Sequence, residues 1–247
     1  MGRASFRFYA ELNDHLPREQ QYKTLEKSFF TPGAVKDMIE SFGVPHTEVD
    51  LIAANGQSVD FSYLVQDGDR IAVYPVFESF DVAREQRLRP QPLRNPRFIL
   101  DVHLGKLAAY LRMLGFDAEY GRSLTDAELV QISTSEHRIL LTRDRGLLKH
   151  GALTHGYWVR ETNSRRQIAE VVHRFDLGRA IRPFTRCMTC NGVLEAVSQE
   201  QVRNLVPGRS LERYDQFHRC QQCGRIYWKG SHYARMRRWI EELAPGR

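Results

Sequence analysis

The sequence predicts an N-terminal α+β domain, a central α/β domain built on a parallel sheet, and a C-terminal metal-binding module. Three observations support this architecture. Residues 1–82 combine short strand-like segments with one helical segment, residues 97–182 alternate apolar strands with helices, and residues 183–247 contain all four cysteines as two CxxC pairs. A chain of 247 residues, 42% hydrophobic and 27% charged, supplies material for about two compact domains.

Membrane and secreted proteins are not expected from this sequence. No run approaches the roughly 18 to 20 apolar residues of a membrane-spanning helix, and MGRASFRFYA lacks the apolar core of a signal peptide. We therefore predict a cytoplasmic protein without a membrane partner.

Charge is distributed unevenly along the chain. Residues 1–95 hold 11 Lys and Arg against 14 Asp and Glu, a net charge of −3, whereas residues 96–247 hold 25 against 16, a net charge of +9. The basic part either binds a polyanion or presents a merely basic surface, and charge alone does not choose between these interpretations.

The first domain, residues 1–82, is predicted to run strand, strand, helix, strands. Phe6 and Phe8 alternate onto one face of the first strand. Thr31-Pro32 predicts a helix start, because Thr is a good N-cap and Pro suits the first turn, and Gly43 predicts its end.

The later strands of this domain are Val49–Ala53, which ends at the hairpin turn signal Asn55-Gly56, and Arg70–Tyr74, which follows a second turn at Asp67-Gly68. This order and the phrase VQDGDRIAVYP resemble the β-grasp fold of ubiquitin-like sulfur carriers. Such carriers end in a Gly-Gly pair, but here the last strand continues into PVFESFDV. The resemblance therefore implies the fold and a protein partner for the domain, without the carrier chemistry.

The second domain, residues 97–182, follows a linker over residues 83–96 that holds four arginines and three prolines. RFILD predicts a short apolar strand that ends at Asp101, and RILLT predicts a later one that runs into Asp144. Alternating strands and helices imply a parallel sheet with both faces covered.

Three acidic residues are candidate ligands for a divalent cation. Asp101 and Asp144 each follow an apolar strand, and Asp126 lies in the first turn of a helix between them. Functional groups gather at the carboxyl ends of parallel strands, and hard cations such as Mg²⁺ or Mn²⁺ prefer oxygen ligands. Each acid has a structural alternative, because Asp101 and Asp144 suit turns or helix caps and Asp126 suits the helix dipole. Glu128 and Asp117 have stronger structural explanations.

Four basic residues are candidate contacts for substrate phosphate. Arg143 and Arg145 flank Asp144, where guanidinium groups can bind phosphate oxygens with two hydrogen bonds each. Lys106 and Arg112 lie on the helix after Asp101 and can extend that surface. A solvated helix face is the alternative explanation for Lys106 and Arg112.

The four cysteines predict a structural zinc site. Cys187 and Cys190 form one CxxC pair, Cys220 and Cys223 form another, and 29 residues separate the two pairs. Two such pairs supply a closed tetrahedral site of four thiolates. An iron–sulfur centre and a redox dithiol are the alternatives.

Aromatic and basic residues accompany the cysteines in the C-terminal tail. Tyr227, Trp228, Lys229 and His232 either stack on unpaired RNA bases and hold the backbone or serve the fold. Met236, Trp239, Ile240 and Leu243 recur at helical spacing, which favours packing.

Five segments of the chain together resemble the Mut-seven C-terminal ribonuclease family. They are DVHLGKLAAYLRMLGFDAEY, TDAELVQIS, RILLTRDRGLL, RCMTCNGVLE and FHRCQQCGRIYWKGSHYARM. The resemblance covers about Arg97 to the C-terminus and implies a PIN-like nuclease domain with a C-terminal zinc ribbon. The segment ending VYPVFESFDV resembles the ubiquitin-like domain that precedes this nuclease in bacterial members.

The resemblance implies metal-dependent hydrolysis of RNA by Asp101, Asp126 and Asp144. Many PIN nucleases carry a fourth acid shortly after the third, but Arg145, Gly146 and Leu147 follow Asp144 here. The main alternative is a non-catalytic RNA- or ribosome-binding module. A sulfur carrier is a weaker one, because the Gly-Gly pair is missing.

Overall fold

The structure, a computed structural model, describes residues 1–75 and 96–243. The predicted linker at 83–96 lies outside the described residues except for Pro96, and so does the segment after the last N-terminal strand. Within the described ranges, no helix has the length and apolar character needed to cross a membrane.

The described residues form twelve short strands and seven α-helices. The strands are β1 (Gly2–Phe8), β2 (Thr24–Phe29), β3 (Val49–Ala54), β4 (Gln57–Val59), β5 (Arg70–Pro75), β6 (Phe98–Leu100), β7 (Ala118–Tyr120), β8 (Ile139–Thr142), β9 (Gly156–Trp158), β10 (Leu194–Val197), β11 (Phe217–Cys220) and β12 (Ile226–Trp228). The α-helices are α1 (Val35–Ser41), α2 (Gly105–Met113), α3 (Asp126–Ser135), α4 (Ser164–Arg174), α5 (Gln199–Val202), α6 (Gly208–Arg213) and α7 (Ser231–Leu243).

Contacts between residues divide the chain into two units. The first unit comprises residues 1–95 and 126–158, and the second comprises residues 96–125 and 159–247. The segment predicted as the nuclease domain, 97–182, therefore contributes to both units.

The N-terminal part of the first unit has a five-stranded sheet in the order β2-β1-β5-β3-β4. β1 and β5 are parallel, while β2, β3 and β4 pair antiparallel with their neighbours. A hydrophobic core that includes Phe6, Phe8, Ile39, Ile52 and Val73 fills the space between this sheet and α1. The predicted β-grasp fold is confirmed.

One helix begins at a residue other than the one predicted. α1 begins at Val35 rather than at Thr31-Pro32, because the backbone before Val35 pairs with another segment. Ala34 forms a β-bridge with Leu64, and the Gly33 carbonyl accepts a hydrogen bond from the Val65 amide at 3.0 Å. α4 begins at Ser164, and its cap is Asn163, whose side chain accepts hydrogen bonds from the amides of Arg165 at 3.0 Å and Arg166 at 3.4 Å.

The hairpin predicted at Asn55-Gly56 joins β3 to β4. Both residues have positive φ, +52° and +84°, as a tight hairpin turn of this kind requires. The composition of the turn therefore determines the register of the pair, with Ala54 opposite Gln57.

The remainder of the first unit packs on the N-terminal domain. β8 and β9 are parallel, and α3 packs against β8. The Thr47 hydroxyl donates to the Leu148 carbonyl at 3.3 Å, and the His46 Nε2 lies 2.8 Å from the Leu153 carbonyl oxygen. A Cβ on Gly156 would lie 2.6 Å from the Leu148 side chain, so a larger residue there requires that side chain to move.

The second unit contains the parallel pair β6 and β7, with α2 and α4 packed against each other. Phe98 on β6 meets the rings of Phe116 and Phe175 edge-on. The C-terminal region adds an antiparallel sheet, β10-β11-β12, with a small core around Val202, Val206 and Phe217. Both strand pairs that precede this region are parallel, as the sequence predicts.

Candidate metal centre and acidic residues

The four cysteines lie together, with all four sulfur atoms within 4.8 Å of one another. The Sγ atoms of Cys187 and Cys223 are 3.6 Å apart, and those of Cys190 and Cys220 are 3.4 Å apart. Zn–S bonds of about 2.3 Å in a tetrahedron place sulfurs about 3.8 Å apart. The cluster therefore fits a metal ion such as zinc, which confirms the predicted convergence of the two CxxC pairs.

The two CxxC turns have the same local geometry. The residue after each pair, Asn191 or Gly224, has a φ of +71°, and its amide donates at 3.0 Å to the carbonyl of the first cysteine of its pair. Gly and Asn are the residues that tolerate this left-handed conformation best. Each turn therefore directs two sulfurs to one side.

The sulfur atoms differ in their electrostatic surroundings. Burial raises the pKa of the Cys187 thiol, but hydrogen bonds from the Tyr227 hydroxyl, 3.1 Å away, and from backbone groups outweigh that effect and lower the pKa to about 6. Burial raises the pKa of the Cys190 thiol to about 12. A bound metal must therefore displace a proton from Cys190 at neutral pH.

Arg112 ties the first CxxC turn to the rest of the second unit. Its side chain is buried, and its guanidinium group donates to the carbonyls of Ala118 at 2.7 Å, Thr189 at 2.9 Å and Met188 at 3.4 Å. Burial lowers the pKa of the guanidinium group, while the charge of Glu119 opposes this shift. These contacts give Arg112 a structural role, and the phosphate contact predicted from the sequence stays a prediction.

Asn191 makes a second tie between this turn and β7. Its side-chain amide donates to Asp117 at 2.8 Å and to Glu119 at 2.9 Å, and its carbonyl oxygen accepts from the Ala118 amide at 3.1 Å. Asp117 also forms an ion pair with Arg186 at 3.3 Å. Asp117 is thus part of the structure that holds the cysteine turn.

Asp144 lies exposed two residues after the end of β8 and shapes the turn there. Its Oδ1 accepts the Gly146 amide at 2.7 Å, and its own amide donates to the Thr142 hydroxyl at 2.9 Å. This is an Asx turn, the structural alternative considered for Asp144. The hydrogen bond from Gly146 uses one carboxylate oxygen and fixes the direction of the side chain.

Asp101 and Asp126 also occupy element ends. Asp101 is 6% exposed at the end of β6, and its Oδ1 accepts the His103 amide at 2.8 Å, which caps a 3₁₀ turn at Val102–Leu104. Asp126 is exposed as the first residue of α3. Asp101 belongs to the second unit, whereas Asp126 and Asp144 belong to the first. Convergence of the three acids stays a prediction.

The predicted basic contacts have different environments. Lys106 is exposed on α2, and Arg143 is half-buried. Arg145 is exposed, but its guanidinium carbon lies 5.1 Å from the centre of the Trp158 ring, and it donates to the His15 carbonyl at 3.4 Å. The N-terminal domain therefore holds the side chain next to Asp144.

The sequence analysis did not predict the buried contact between Glu48 and His15. Both side chains are fully buried, and the Glu48 carboxylate lies 2.9 Å from the His15 Nε2 and accepts the Trp158 amide at 2.6 Å. The two residues are 33 positions apart, and Glu48 and Trp158 are 110 apart. No local sequence signal marks such pairs, since each is a single residue in an ordinary context.

Comparisons with known proteins place these observations in a family. No curated protein matches the chain. Two solved structures of the small archaeal modifier protein 1 of Haloferax volcanii match with 13% and 14% identity, each with a TM-score of 0.26. They cover 31% and 32% of this chain and 100% of their own. A Pyrococcus furiosus structure described as molybdopterin converting factor subunit 1 matches with 19% identity and a TM-score of 0.26, over 31% of this chain and 100% of its own.

Family models match both parts of the chain. The Mut7-C ubiquitin model matches residues 1–81. The model of the Mut7-C RNase domain matches residues 96–240, which is more than half of the 247 residues. The chain therefore belongs to the Mut7-C RNase domain family.

Proposed function

We propose that the chain is a cytoplasmic, divalent-metal-dependent ribonuclease that hydrolyses RNA phosphodiester bonds and carries a structural zinc ion. The match of residues 96–240 to the Mut7-C RNase domain carries this proposal. The net charge of +9 on residues 96–247 supports a polyanionic substrate.

Asp101, Asp126 and Asp144 are the proposed ligands of Mg²⁺ or Mn²⁺. Asp101 and Asp144 each follow a buried strand, and a backbone amide fixes one oxygen of each carboxylate. Such fixed carboxylates suit a cation that needs oxygen ligands in defined directions. When bound, the cation acidifies a water molecule and neutralises charge on the phosphate.

Basic side chains are proposed to hold the RNA backbone against these acids. Lys106 and Arg143 are the proposed phosphate contacts, together with Arg145, which retains N–H donors beyond the bond to His15. Arg112 is not included in this set, because its guanidinium group already binds three backbone carbonyls.

Zinc is proposed to have a structural role. Four cysteine ligands leave no open position for substrate or water, so a zinc ion held by Cys187, Cys190, Cys220 and Cys223 does not take part in cleavage.

The Asx turn at Asp144 supports a second candidate function, a non-catalytic RNA- or ribosome-binding module. In that case Asp144 serves only to bond the Gly146 amide. An Asn side chain can accept the same hydrogen bond, so a substitution of Asp144 by Asn separates the two functions.

The first prediction is that Asp144→Asn abolishes Mn²⁺-dependent cleavage of single-stranded RNA. The substitution keeps the shape of the turn but removes the charge that a cation requires. RNA binding should stay the same or tighten, because a negative charge near the phosphate is lost. Cleavage is measured on gels, and affinity by fluorescence anisotropy without Mn²⁺.

Asp60→Asn is a matched control for this experiment. Asp60 is also an exposed Asx-turn residue, and its Oδ1 accepts the Ser62 amide at 2.8 Å in the N-terminal domain. Asp60→Asn should leave cleavage unchanged. Full cleavage by a folded Asp144→Asn protein would favour the binding module instead.

A further inference from the structure

A cavity of about 380 Å³ opens in the C-terminal region of the second unit. Half-buried aromatic side chains supply much of its lining: Phe184, Tyr227, Trp228 and Tyr233. Small-molecule sites span roughly 300 to 1,000 Å³ and are mostly apolar and aromatic with a few polar groups. The volume and lining of this cavity therefore fit a flat organic group.

Three of the aromatic rings of the cavity pack against other side chains. The rings of Phe184 and Tyr233 lie 4.5 Å apart with an angle of 39° between their planes. Phe184 has a φ of +60°, which is unusual for a bulky residue, and its amide donates to the Met113 carbonyl at 2.9 Å. Trp228 packs against the small core of the cysteine region. Rings fixed in this way lose little entropy on stacking with a ligand.

Positive and polar groups accompany the rings. The ammonium group of Lys229 lies 5.8 Å from the centre of the Tyr233 ring, and Thr185, Gln216 and His218 also line the cavity. Residues 183–243 hold 10 Lys and Arg against 6 Asp and Glu, a net charge of +4. A ligand with a flat polar ring and a negatively charged backbone complements this surface in both shape and charge.

We propose that this cavity holds an unpaired base of single-stranded RNA, stacked on Tyr233, while Lys229 contacts the adjoining phosphate. A base in a duplex is already stacked and cannot enter the cavity, so the site selects unpaired RNA. The inference rests on the proposed function only for the choice of RNA as the ligand, because the cavity contains none of the proposed catalytic acids.

The test compares two substitutions at one position. Tyr233→Leu removes the aromatic ring, whereas Tyr233→Phe keeps the ring and removes only the hydroxyl. A fluorescent oligouridylate is the probe, alone and annealed to oligoadenylate, with zinc-loaded full-length protein and no added Mg²⁺ or Mn²⁺. Tyr233→Leu should weaken binding of the single strand roughly 5- to 100-fold, the loss expected when one stacked base is released. Tyr233→Phe should bind almost like wild type.

Trp239→Ala is a control on the same helix. Trp239 pairs with Tyr110 and Arg165 outside the cavity, so its removal should not change single-strand affinity. Ultraviolet cross-linking of a 4-thiouridine strand gives a direct readout, since the cross-linked peptides should contain Phe184, Tyr227, Trp228 or Tyr233. The duplex should bind more weakly than the single strand and should respond little to Tyr233→Leu.

Several outcomes would overturn this inference. A folded, zinc-loaded Tyr233→Leu protein that binds the single strand as tightly as wild type would do so, and so would equal affinity for single strand and duplex. If Tyr233→Leu instead dissociates a dimer in sedimentation and leaves RNA affinity unchanged, the cavity receives a second copy of the chain.

The experiments distinguish failure of the proposed nuclease function from failure of the proposed base site. A protein that binds single strands through Tyr233 but never cleaves them would refute the nuclease proposal and keep the base site. A protein that cleaves RNA with unchanged affinity in Tyr233→Leu would refute the base site and keep the nuclease.

Discussion

Each unit has a junction at which a buried charged side chain connects two of its parts. Glu48 does so in the first unit and Arg112 in the second. Glu48 joins the N-terminal domain to the residue 126–158 segment through the Trp158 amide, and its other carboxylate oxygen pairs with His15 of its own domain. Arg112 joins α2 to the first cysteine turn through backbone carbonyls. Both are charged groups that satisfy backbone groups across a junction, and both are costly to leave without partners.

The difference lies in what else holds each junction. The cysteine region has Asn191 and the Asp117–Arg186 ion pair as additional ties, and a metal ion can join its two turns. The N-terminal junction depends on scattered single contacts such as those of Thr47 and His46. The stability of the junction at the cysteine region therefore depends on one cluster of contacts. The stability of the N-terminal junction is distributed over separate contacts.

The largest expected effect is the loss of the metal. Cys187→Ser should lose bound zinc and unfold the region from 187 to 243, because binding of a structural zinc contributes about 10 to 16 kcal/mol of apparent free energy that is coupled to folding. Elemental analysis of wild type should give one zinc per chain. Hydrogen exchange should show that the N-terminal domain remains protected. Iron, or no metal, in wild type would contradict the zinc assignment.

A smaller effect is expected for Arg112→Leu, which leaves the carbonyls of Ala118 and Thr189 without their donor. We expect a loss of about 3 kcal/mol in the free energy of unfolding, measured by urea denaturation. Lys106→Leu, on the exposed surface of the same helix, should change it by less than about 0.5 kcal/mol. If the two variants are equally stable, the junction does not depend on the guanidinium group.

The smallest effect is expected at the N-terminal junction. Glu48→Ala should cost about 2 kcal/mol, because the Trp158 amide and the His15 ring lose their partner. Glu48→Gln keeps an acceptor for the amide and should cost less. The Trp158 amide should exchange faster in Glu48→Ala, as measured by hydrogen exchange, while Glu19→Ala, at an exposed position, serves as the control. Unchanged exchange in Glu48→Ala would show that the other contacts hold the junction alone.

The sequence predicts the cysteine cluster better than it predicts the start of α1. The cysteine cluster is predictable, because CxxC is a local pattern and the residues after each pair, Asn191 and Gly224, suit the left-handed backbone that the turns require. The start of α1 is not, because Thr31-Pro32 is a good local signal, but the pairing of Gly33 and Ala34 with residues 64–65 outweighs it. Local propensity is overruled where the backbone finds a distant partner.

The site residues show the same limit. The positions of Asp101 and Asp144 at strand ends can be predicted from the sequence because an acid after an apolar strand is a visible pattern, and the structure adds the backbone amides that fix them. Their role as metal ligands stays a prediction. The role of Arg112 could not be found, since helical spacing does not reveal that three carbonyls meet its side chain. Glu48 was missed because its partners lie 33 and 110 positions away.

The interleaving of the two units in the sequence has a consequence for synthesis of the chain. The last described strand of the N-terminal domain ends at residue 75, but the buried Glu48 accepts its hydrogen bond from the amide of residue 158, which is made later. At about 5 to 20 residues per second, this delay is roughly 4 to 17 seconds. During that interval the surface around Glu48 that later contacts Trp158 faces water. This surface of the nascent chain is then accessible to chaperones and proteases.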